Sequence, residues 1–545
     1  MFLFLAITQA GCRRSFPRHL LHKITTLAIS AVVVLVAQVI HTQPVNADQA
    51  SRPNLVLIMA DDMGYGDASC LNPAAKFRTP HIDRLAREGV SFTDGHCSDT
   101  VCTPSRYGLL TGRYSWRTTL KRGVFGAEKP CLIADTRWTL ASLLRTRGYQ
   151  TGMVGKWHLG MDFPGEVGHR DWTQPTRDMP LDKGFDYYYG IPASMNYGVL
   201  AWFEGRHAKV PPTLYTAKKP NALAIADYRI KPPYQDTAED TEIVLGKPGM
   251  EVAPDFVDSE CLTRFTDQAI AWLKRASSDP EGRPFFLYLP YTSPHKPVIP
   301  IKPFRGQGEA GAYGEFMIET DHHVGRVLDF LDQAKLTENT LVVFTSDNGP
   351  ETTWKERKAR FQHASNGPYR DGKRSVYEGG HRVPFIVRWP AGIRQPGRVW
   401  EGTVCQTDLL ATLAEITGVP LPENAGEDSQ SFAVALQNPD APSPTRKPLM
   451  HHAANGRFAI RSGEWKLILP FGKQSAELYH LASDPAERRN VLAQQPNIAR
   501  QLEQQATEIV CSGRTTAGKP QTNDTEHWAA LSWITPQQYA ERHGK

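Results

Sequence analysis

Asn54-Leu55-Val56-Leu57-Ile58-Met59-Ala60 is an unbroken apolar run after its first residue, and it stops abruptly at Asp61-Asp62-Met63-Gly64-Tyr65-Gly66-Asp67. A short run without polar alternation is the pattern of a strand buried on both faces, as inside a parallel sheet. Three later stretches repeat the form. Tyr149 to Val154 runs into Gly155-Lys156-Trp157-His158, Pro284 to Leu289 into Tyr291-Thr292-Ser293-Pro294-His295-Lys296-Pro297, and Leu341 to Ser346 into Asp347-Asn348-Gly349-Pro350. Helical patterns lie between and around them, at Ile82 to Glu88, Leu140 to Arg147, Phe256 to Arg275, Phe316 to Leu331 and Thr407 to Thr417. Val383 to Trp389 reads as one more strand. This alternation predicts an α/β fold, a large doubly wound and mostly parallel sheet flanked by helices.

The pattern changes after the Thr407 helix. A Pro-rich polar stretch from Val419 to Pro448 leads to two short strands about Ser462-Gly463, and an amphipathic helix follows near Ile498 to Val510. A smaller C-terminal α+β domain with an antiparallel sheet is expected, giving boundaries of 48–420 for the large domain and 421–545 for the small one and its tail. Met161 to Pro254 has no sustained period, and irregular stretches of that length inside an enzyme are usually binding loops. Its aromatics, Tyr187-Tyr188-Tyr189, Tyr197 and Trp202-Phe203, would suit stacking on sugar rings.

In an open α/β sheet, ligands bind beyond the carboxyl ends of the strands. Four strand ends therefore bring Asp61-Asp62, Lys156 with His158, His295, and Asp347-Asn348 to one edge, although the sequence spreads them over nearly three hundred positions. Asp61, Asp62, Asp347 and Asn348 are an oxygen-only set, suited to Ca²⁺ or Mg²⁺ rather than zinc. Carboxylates crowded there without a cation would repel one another and rise in pKa. Taken singly, an Asp-Asp after a strand is a turn or a helix cap, and a lone histidine or lysine belongs to the core or the surface. His322 and His323 keep that plain reading, with no motif around them.

Val101-Cys102-Thr103-Pro104-Ser105-Arg106 leads into Tyr107-Gly108-Leu109-Leu110-Thr111-Gly112-Arg113. Pro104 and Ser105 are helix-start residues, which puts Cys102 and Arg106 at a helix N-terminus where an anion is favoured. A cysteine so placed is expected to be accessible and to have a lowered pKa. Cys-x-Pro-x-Arg with Leu-Thr-Gly-Arg resembles the signature of the type I sulfatases, arylsulfatase-like members of the alkaline phosphatase superfamily. Gly-Lys-Trp-His at Lys156 and His158, Ser-Pro-His-Lys at His295, and the Gly-Lys segment at Lys373 before Tyr377-Glu378-Gly379-Gly380 match as well.

The resemblance implies an exported sulfuric ester hydrolase that acts on small-molecule or oligosaccharide sulfate esters, with aryl sulfates as surrogates. It implies that Cys102 becomes formylglycine (3-oxoalanine) through a formylglycine-generating or anaerobic sulfatase-maturating enzyme. It also implies Ca²⁺, with Mg²⁺ as the alternative, held by Asp61, Asp62, Asp347, Asn348 and residue 102. In that scheme Arg106 activates the nucleophile, Lys156 and Lys373 hold the sulfuryl oxygens, His295 protonates the leaving oxygen and His158 takes the proton that releases sulfate. The rival within the superfamily is a phosphodiester or phosphonate monoester hydrolase. A non-catalytic binder of sulfated glycans would need neither the cysteine signature nor a full ligand set.

Composition excludes other classes. The 545 residues are 40% hydrophobic and 22% charged, as in ordinary globular proteins. The net charge of +5 owes four of its bases to residues 1–47, so no nucleic-acid footprint remains. That leader has a basic start, an apolar run from Leu27 to Ile40 and a small-residue end at Val45-Asn46-Ala47, the pattern of an export signal; an uncleaved anchor is the alternative. Periplasmic, secreted or cell-surface placement follows, with no stable membrane insertion after cleavage. Export permits disulfides among Cys70, Cys97, Cys131, Cys261, Cys405 and Cys511 without ranking their pairings.

Overall fold

Asn54–Asp61 forms the expected strand and sits in the middle of a ten-stranded sheet, with every residue from Leu55 to Asp61 buried. The computed structural model describes residues 52–196, 198–216, 250–441 and 446–542. The leader, Cys12, Tyr197 and 217–249 of the irregular stretch lie outside the described residues. In spatial order the sheet runs Arg398–Trp400, Val90–Phe92, Phe385–Arg388, Thr340–Ser346, Asn54–Asp61, Phe285–Pro294, Gln150–Lys156, Tyr187–Ile191, Phe203–Glu204 and His207–Ala208.

The five strands from Thr340–Ser346 to Tyr187–Ile191 are mutually parallel. Two groups of helices flank them. Pro80–Arg87, Cys261–Ser277 and Gly311–Gln333 pack together, and Cys102–Thr111, Leu140–Arg145 and Leu409–Thr417 form the other group. Apolar residues such as Val56, Ile58, Leu287, Leu289, Val342 and Phe344 are sealed between these layers. Each such side chain stabilises the fold by roughly 1.5–3 kcal/mol. The register decides where the chemistry lies, because Ala60 pairs with Ser346 and Asp61 with Pro294. Three strands thus end level.

Beyond this parallel core the sheet becomes mixed. Phe385–Arg388 is antiparallel to Thr340–Ser346, and the long connection between them contains the helix Trp354–Phe361 and the short helix Glu378–His381. The irregular stretch also contributes strands, and four of the aromatics named in it are core. Tyr188, Tyr189, Trp202 and Phe203 are at most 2% exposed, so they are closed to the sugar stacking expected of them. Trp202 packs on Tyr189, Phe256 and Phe265, and Phe203 on Phe163 and Trp172, where burying large rings gains more than exposing them.

A second sheet is an antiparallel meander of Leu449–His452, Phe458–Ser462, Trp465–Ile468 and Glu477–His480. Helix Pro496–Cys511 covers it. The hairpin predicted about Ser462-Gly463 is present, and Gly463 takes φ of +57°, which a two-residue turn requires. All seven cysteines among the described residues are free thiols.

Candidate active site

The ends of Gln150–Lys156, Phe285–Pro294, Asn54–Asp61 and Thr340–Ser346 are neighbours in the sheet, and their terminal residues converge. Asp61, Asp62, Asp347 and Asn348 are all buried. The turn after Asp61 is sharp: Asp62 has φ of +66°, and its N–H donates to Asp347 Oδ1 at 3.1 Å. The Asp347 N–H donates in turn to the Ala60 carbonyl, at 3.1 Å. Asn348 Nδ2 donates to Asp62 Oδ1 at 2.8 Å and to the Gly349 carbonyl. Gly349 lets the segment carrying Lys373 come close, since a Cβ there would lie 1.9 Å from the Gly379 carbonyl oxygen.

Three bases answer the three carboxylates. Lys156 Nζ reaches Asp61 Oδ2 at 2.6 Å, Lys373 Nζ binds Asp62 Oδ1, and Arg106 Nη2 donates to Asp347 Oδ2 at 2.8 Å. Arg106 is further fixed by donating from Nη1 to the Lys156 carbonyl, at 3.0 Å. Burial raises the Asp347 carboxyl to about 6, with the Asp61 charge adding to the effect. Burial alone would also raise Asp62, but Lys373 and His295 outweigh it and hold that carboxyl below its ordinary value.

Acceptors nevertheless exceed donors. Asp61 Oδ1, Asp62 Oδ2 and Asn348 Oδ1 are buried and have no hydrogen-bond partner among the described residues. A buried acceptor left without a donor costs about 1–3 kcal/mol, more when charged. Such oxygens on three residues of one corner fit a hard dication, and the donor chemistry is that of Ca²⁺ or Mg²⁺. Cys102 Sγ belongs to the same set, with one ligand atom each of Asp61, Cys102 and Asp347 mutually within 4.8 Å.

Cys102 opens the helix Cys102–Thr111, two residues earlier than Pro104 and Ser105 suggested. It is 2% exposed, and burial pushes its thiol pKa up against the pull of Lys156 and Lys373. The expectation of an accessible, acidified thiol is therefore corrected: removal from water outweighs both the helix terminus and the lysines.

The histidines complete the corner. His295 Nδ1 donates to the Lys296 carbonyl at 2.6 Å, and its Nε2 lies 3.7 Å from Asp62 Oδ2. Burial lowers its pKa to about 3 despite Asp62. His158 takes φ of +60° and donates from Nε2 to the Phe125 carbonyl at 3.1 Å. Burial, with Lys156 and Arg106 beside it, lowers it well below the usual imidazole value. His322 and His323 lie in the middle of helix Gly311–Gln333, away from this corner, as expected.

Sequence reading missed Glu351 and Arg374. Arg374 follows Lys373 with φ of +76° and forms a two-pronged ion pair with Glu351, one contact being 2.9 Å. Glu351 is held well below its ordinary pKa because Arg374 and Lys373 overcome its burial. The signal was present in Asp347-Asn348-Gly349-Pro350-Glu351, which ends in an acid, and in the base adjoining Lys373.

The fold, with acids and bases gathered where its parallel strands end, defines the class as a hydrolase of anionic esters. The family model described as Sulfatase matches residues 53–419, and that described as N-sulphoglucosamine sulphohydrolase, C-terminal, matches 369–511. The chain belongs to the sulfatase family and is a sulfuric ester hydrolase. It is 34% identical to an N-acetylgalactosamine-6-O-sulfatase of Bacteroides thetaiotaomicron over 84% of this chain and 93% of that protein. It is 32% identical to human arylsulfatase A over 81% and 84% of the two chains. A solved structure described as concerning glycosaminoglycan metabolism by Bacteroides thetaiotaomicron superposes with TM-score 0.71 and 32% identity, covering 84% of this chain and 99% of that one.

Proposed function

We propose that the chain removes sulfate from carbohydrates, with formylglycine at position 102 and Ca²⁺ held by Asp61, Asp62, Asp347 and Asn348. The observation that carries this reading is the convergence of three donor-less buried oxygens beside Cys102 and three basic side chains. The similarity to an N-acetylgalactosamine-6-O-sulfatase supports a hexosamine 6-sulfate of a glycosaminoglycan as substrate. The leader supports export, and conversion of Cys102 requires a maturating enzyme as partner. No helix among the described residues is long and apolar enough to cross a membrane.

When present, a hydrated formylglycine supplies one hydroxyl to attack sulfur and a second that allows sulfate to leave, while the cation neutralises sulfuryl oxygens. The chain's own groups do the rest. Lys156 and Lys373 place two ammonium charges at the corner where the sulfuryl oxygens sit, and Arg106 fixes Asp347. His295 has Nδ1 committed to the Lys296 carbonyl, so Nε2 is the nitrogen that gives a proton to the leaving oxygen. It must first become imidazolium, which the negative charge of an arriving sulfate favours. His158 is held by the Phe125 carbonyl in the tautomer with basic Nδ1, and its burial keeps it neutral and ready to accept a proton.

Peptide mass spectrometry across Cys102 should show a loss of about 18 Da, the mark of the aldehyde. Cys102→Ala should keep the fold and lose turnover of an aryl sulfate by four orders of magnitude or more, roughly the scale for removing a nucleophile. Retained activity contradicts the assignment, and a strong preference for an aryl phosphate diester over the sulfate replaces it with the rival chemistry.

A further inference from the structure

The loop that delivers Cys102 is held from outside the large sheet. Leu449–His452 is the outer strand of the C-terminal meander, and its open edge is covered by residues 98–100. An unpaired strand edge is a row of backbone donors and acceptors. Here the His452 N–H donates to the Ser98 carbonyl at 3.2 Å, and just beyond the strand the Ala454 N–H donates to Thr100 Oγ1 at 3.1 Å. The Ala454 carbonyl takes the Gly123 N–H at 2.8 Å.

The His452 side chain makes the tightest part of this grip. Its Nδ1 lies 3.0 Å from Asp99 Oδ1, and its Nε2 lies 3.1 Å from the Lys121 carbonyl. Both partners are acceptors, so the ring serves both only by donating from each nitrogen. Asp99 is fit to receive it as a carboxylate, because Ser115 Oγ donates to Oδ1 at 2.9 Å and Ser98 Oγ to Oδ2 at 2.7 Å. Asp99 and His452 are both buried, so water does not compete for these contacts. The Phe458 ring packs against the imidazole, with centroids 4.7 Å apart.

Two further bonds carry this grip to the reacting corner. The Asp99 carbonyl accepts from Ser105 Oγ at 3.0 Å, inside the first turn of the Cys102 helix. The Thr100 carbonyl accepts the Arg374 N–H at 2.8 Å, and Arg374 adjoins Lys373. Residues 98–100 therefore tie together the segments that carry Cys102 and Lys373. We infer that His452 is a positioning residue for this hydrolase: with its strand it fixes residues 98–100 and so keeps Cys102 and Lys373 in register. The C-terminal meander is then part of the catalytic apparatus and not only a cover. The inference rests on the reading of Cys102 as the residue that supplies the nucleophile.

The test uses His452→Ala, His452→Gln and Asp99→Asn in the full chain, with two readouts. In protein left unmodified at Cys102, iodoacetamide labelling is followed thiol by thiol with peptide mass spectrometry. His452→Ala should speed labelling of Cys102 about tenfold or more while Cys261 and Cys511 stay as slow as in the parent, with His452→Gln, which keeps one donor, in between. In the matured enzyme, with formylglycine content matched, kcat for an aryl sulfate should fall about 10- to 100-fold with KM within about twofold. Asp99→Asn should behave alike, and the double variant should be little worse than either single one.

The inference is overturned if Cys102 stays as protected as in the parent, if all three thiols speed up together, or if kcat is unchanged. A parent enzyme that turns over no sulfate ester would defeat the reading of the site instead, and the labelling result still decides the grip.

Discussion

Two buried clusters of charge lie along this fold, and they are built on different principles. The first is the corner at Asp61, Asp62 and Asp347. The second joins the large sheet to the C-terminal meander, where Asp94, Glu378 and Glu487 meet Arg382, Arg461 and Lys466. Lys466 Nζ stands 2.9 Å from both Glu378 and Glu487, Arg461 stands 2.7 Å from Asp94, and Arg382 bridges Asp94 and Glu378 at 3.2 and 3.3 Å. His96 Nε2 donates to Asp94, while its Nδ1 lies 3.0 Å from His381 Nδ1. Burial lowers the pKa of His96, His381 and His451, which favours the neutral rings.

Both clusters balance three acids with three bases, so the count of charges does not tell them apart. Hydrogen-bond supply does. Five basic and imidazole side chains converge on the acids of the second cluster, and the ring His451 stacks on His381 with centroids 3.6 Å apart. In the first cluster acceptor oxygens on three different residues are left over, whereas among the acids of the second just Glu487 Oε1 lacks a hydrogen bond, and Lys466 Nζ stands 2.9 Å from it. A surplus of donors makes a structural lock; a surplus of hard acceptors makes a seat for a cation.

Lys466→Met attacks the lock and gives the largest expected effect. Leaving Glu378 and Glu487 buried without their shared partner should cost about 3–5 kcal/mol in denaturant unfolding, with calcium affinity unchanged. A loss of calcium binding in that variant would erase the distinction between the clusters. Asp62→Asn attacks the seat. It should weaken calcium, measured by titration calorimetry, by about 100-fold, which is about 2.7 kcal/mol.

Glu319 sharpens the contrast with a carboxylate that has neither lock nor seat. Its Oε2 accepts the Ile301 N–H at 2.9 Å, its Oε1 has no partner among the described residues, and burial raises its pKa to about 8. A lone buried acid keeps its proton. Between the ordinary value of 4.5 and about 8 the unfolded chain has lost that proton and the folded chain has not. Stability contributed by the protonated form is therefore complete below the lower value and lost as pH rises through the upper one. Glu319→Gln should remove this slope and leave the protein on the order of 1–2 kcal/mol more stable than the parent at pH 8, with little difference at pH 4. An unchanged pH profile would show that Glu319 is ionised throughout.

Much of the site was legible in one dimension because each piece has a local cause. An apolar run that stops at Asp61-Asp62 or Asp347-Asn348 announces both the strand and the buried polar cluster at its end. Lys156, His158 and His295 follow strands in the same way, and Lys373 sits in a glycine-bounded turn. The aromatics of 187–189 and 202–203 misled for the complementary reason: rings suit a sugar face and a core equally, and only packing decides. Glu351 and Arg374 carried the weak signal of adjoining a motif, and Asp99 and His452 carried none. Their roles arise from partners that are distant in sequence, such as His452 and Asp99, 353 positions apart.

The chain by itself determined the parallel core, the oxygen-rich strand ends and the cysteine signature, since hydrophobic period and residue chemistry act over a few neighbours. Tertiary structure alone decided that Cys102 is sealed from water, that the sheet turns antiparallel beyond Thr340–Ser346, and that a C-terminal strand grips the loop before Cys102. Those outcomes depend on desolvation and on pairing between remote segments. Both are properties of the surroundings a residue is folded into, not of the residue or its neighbours in sequence.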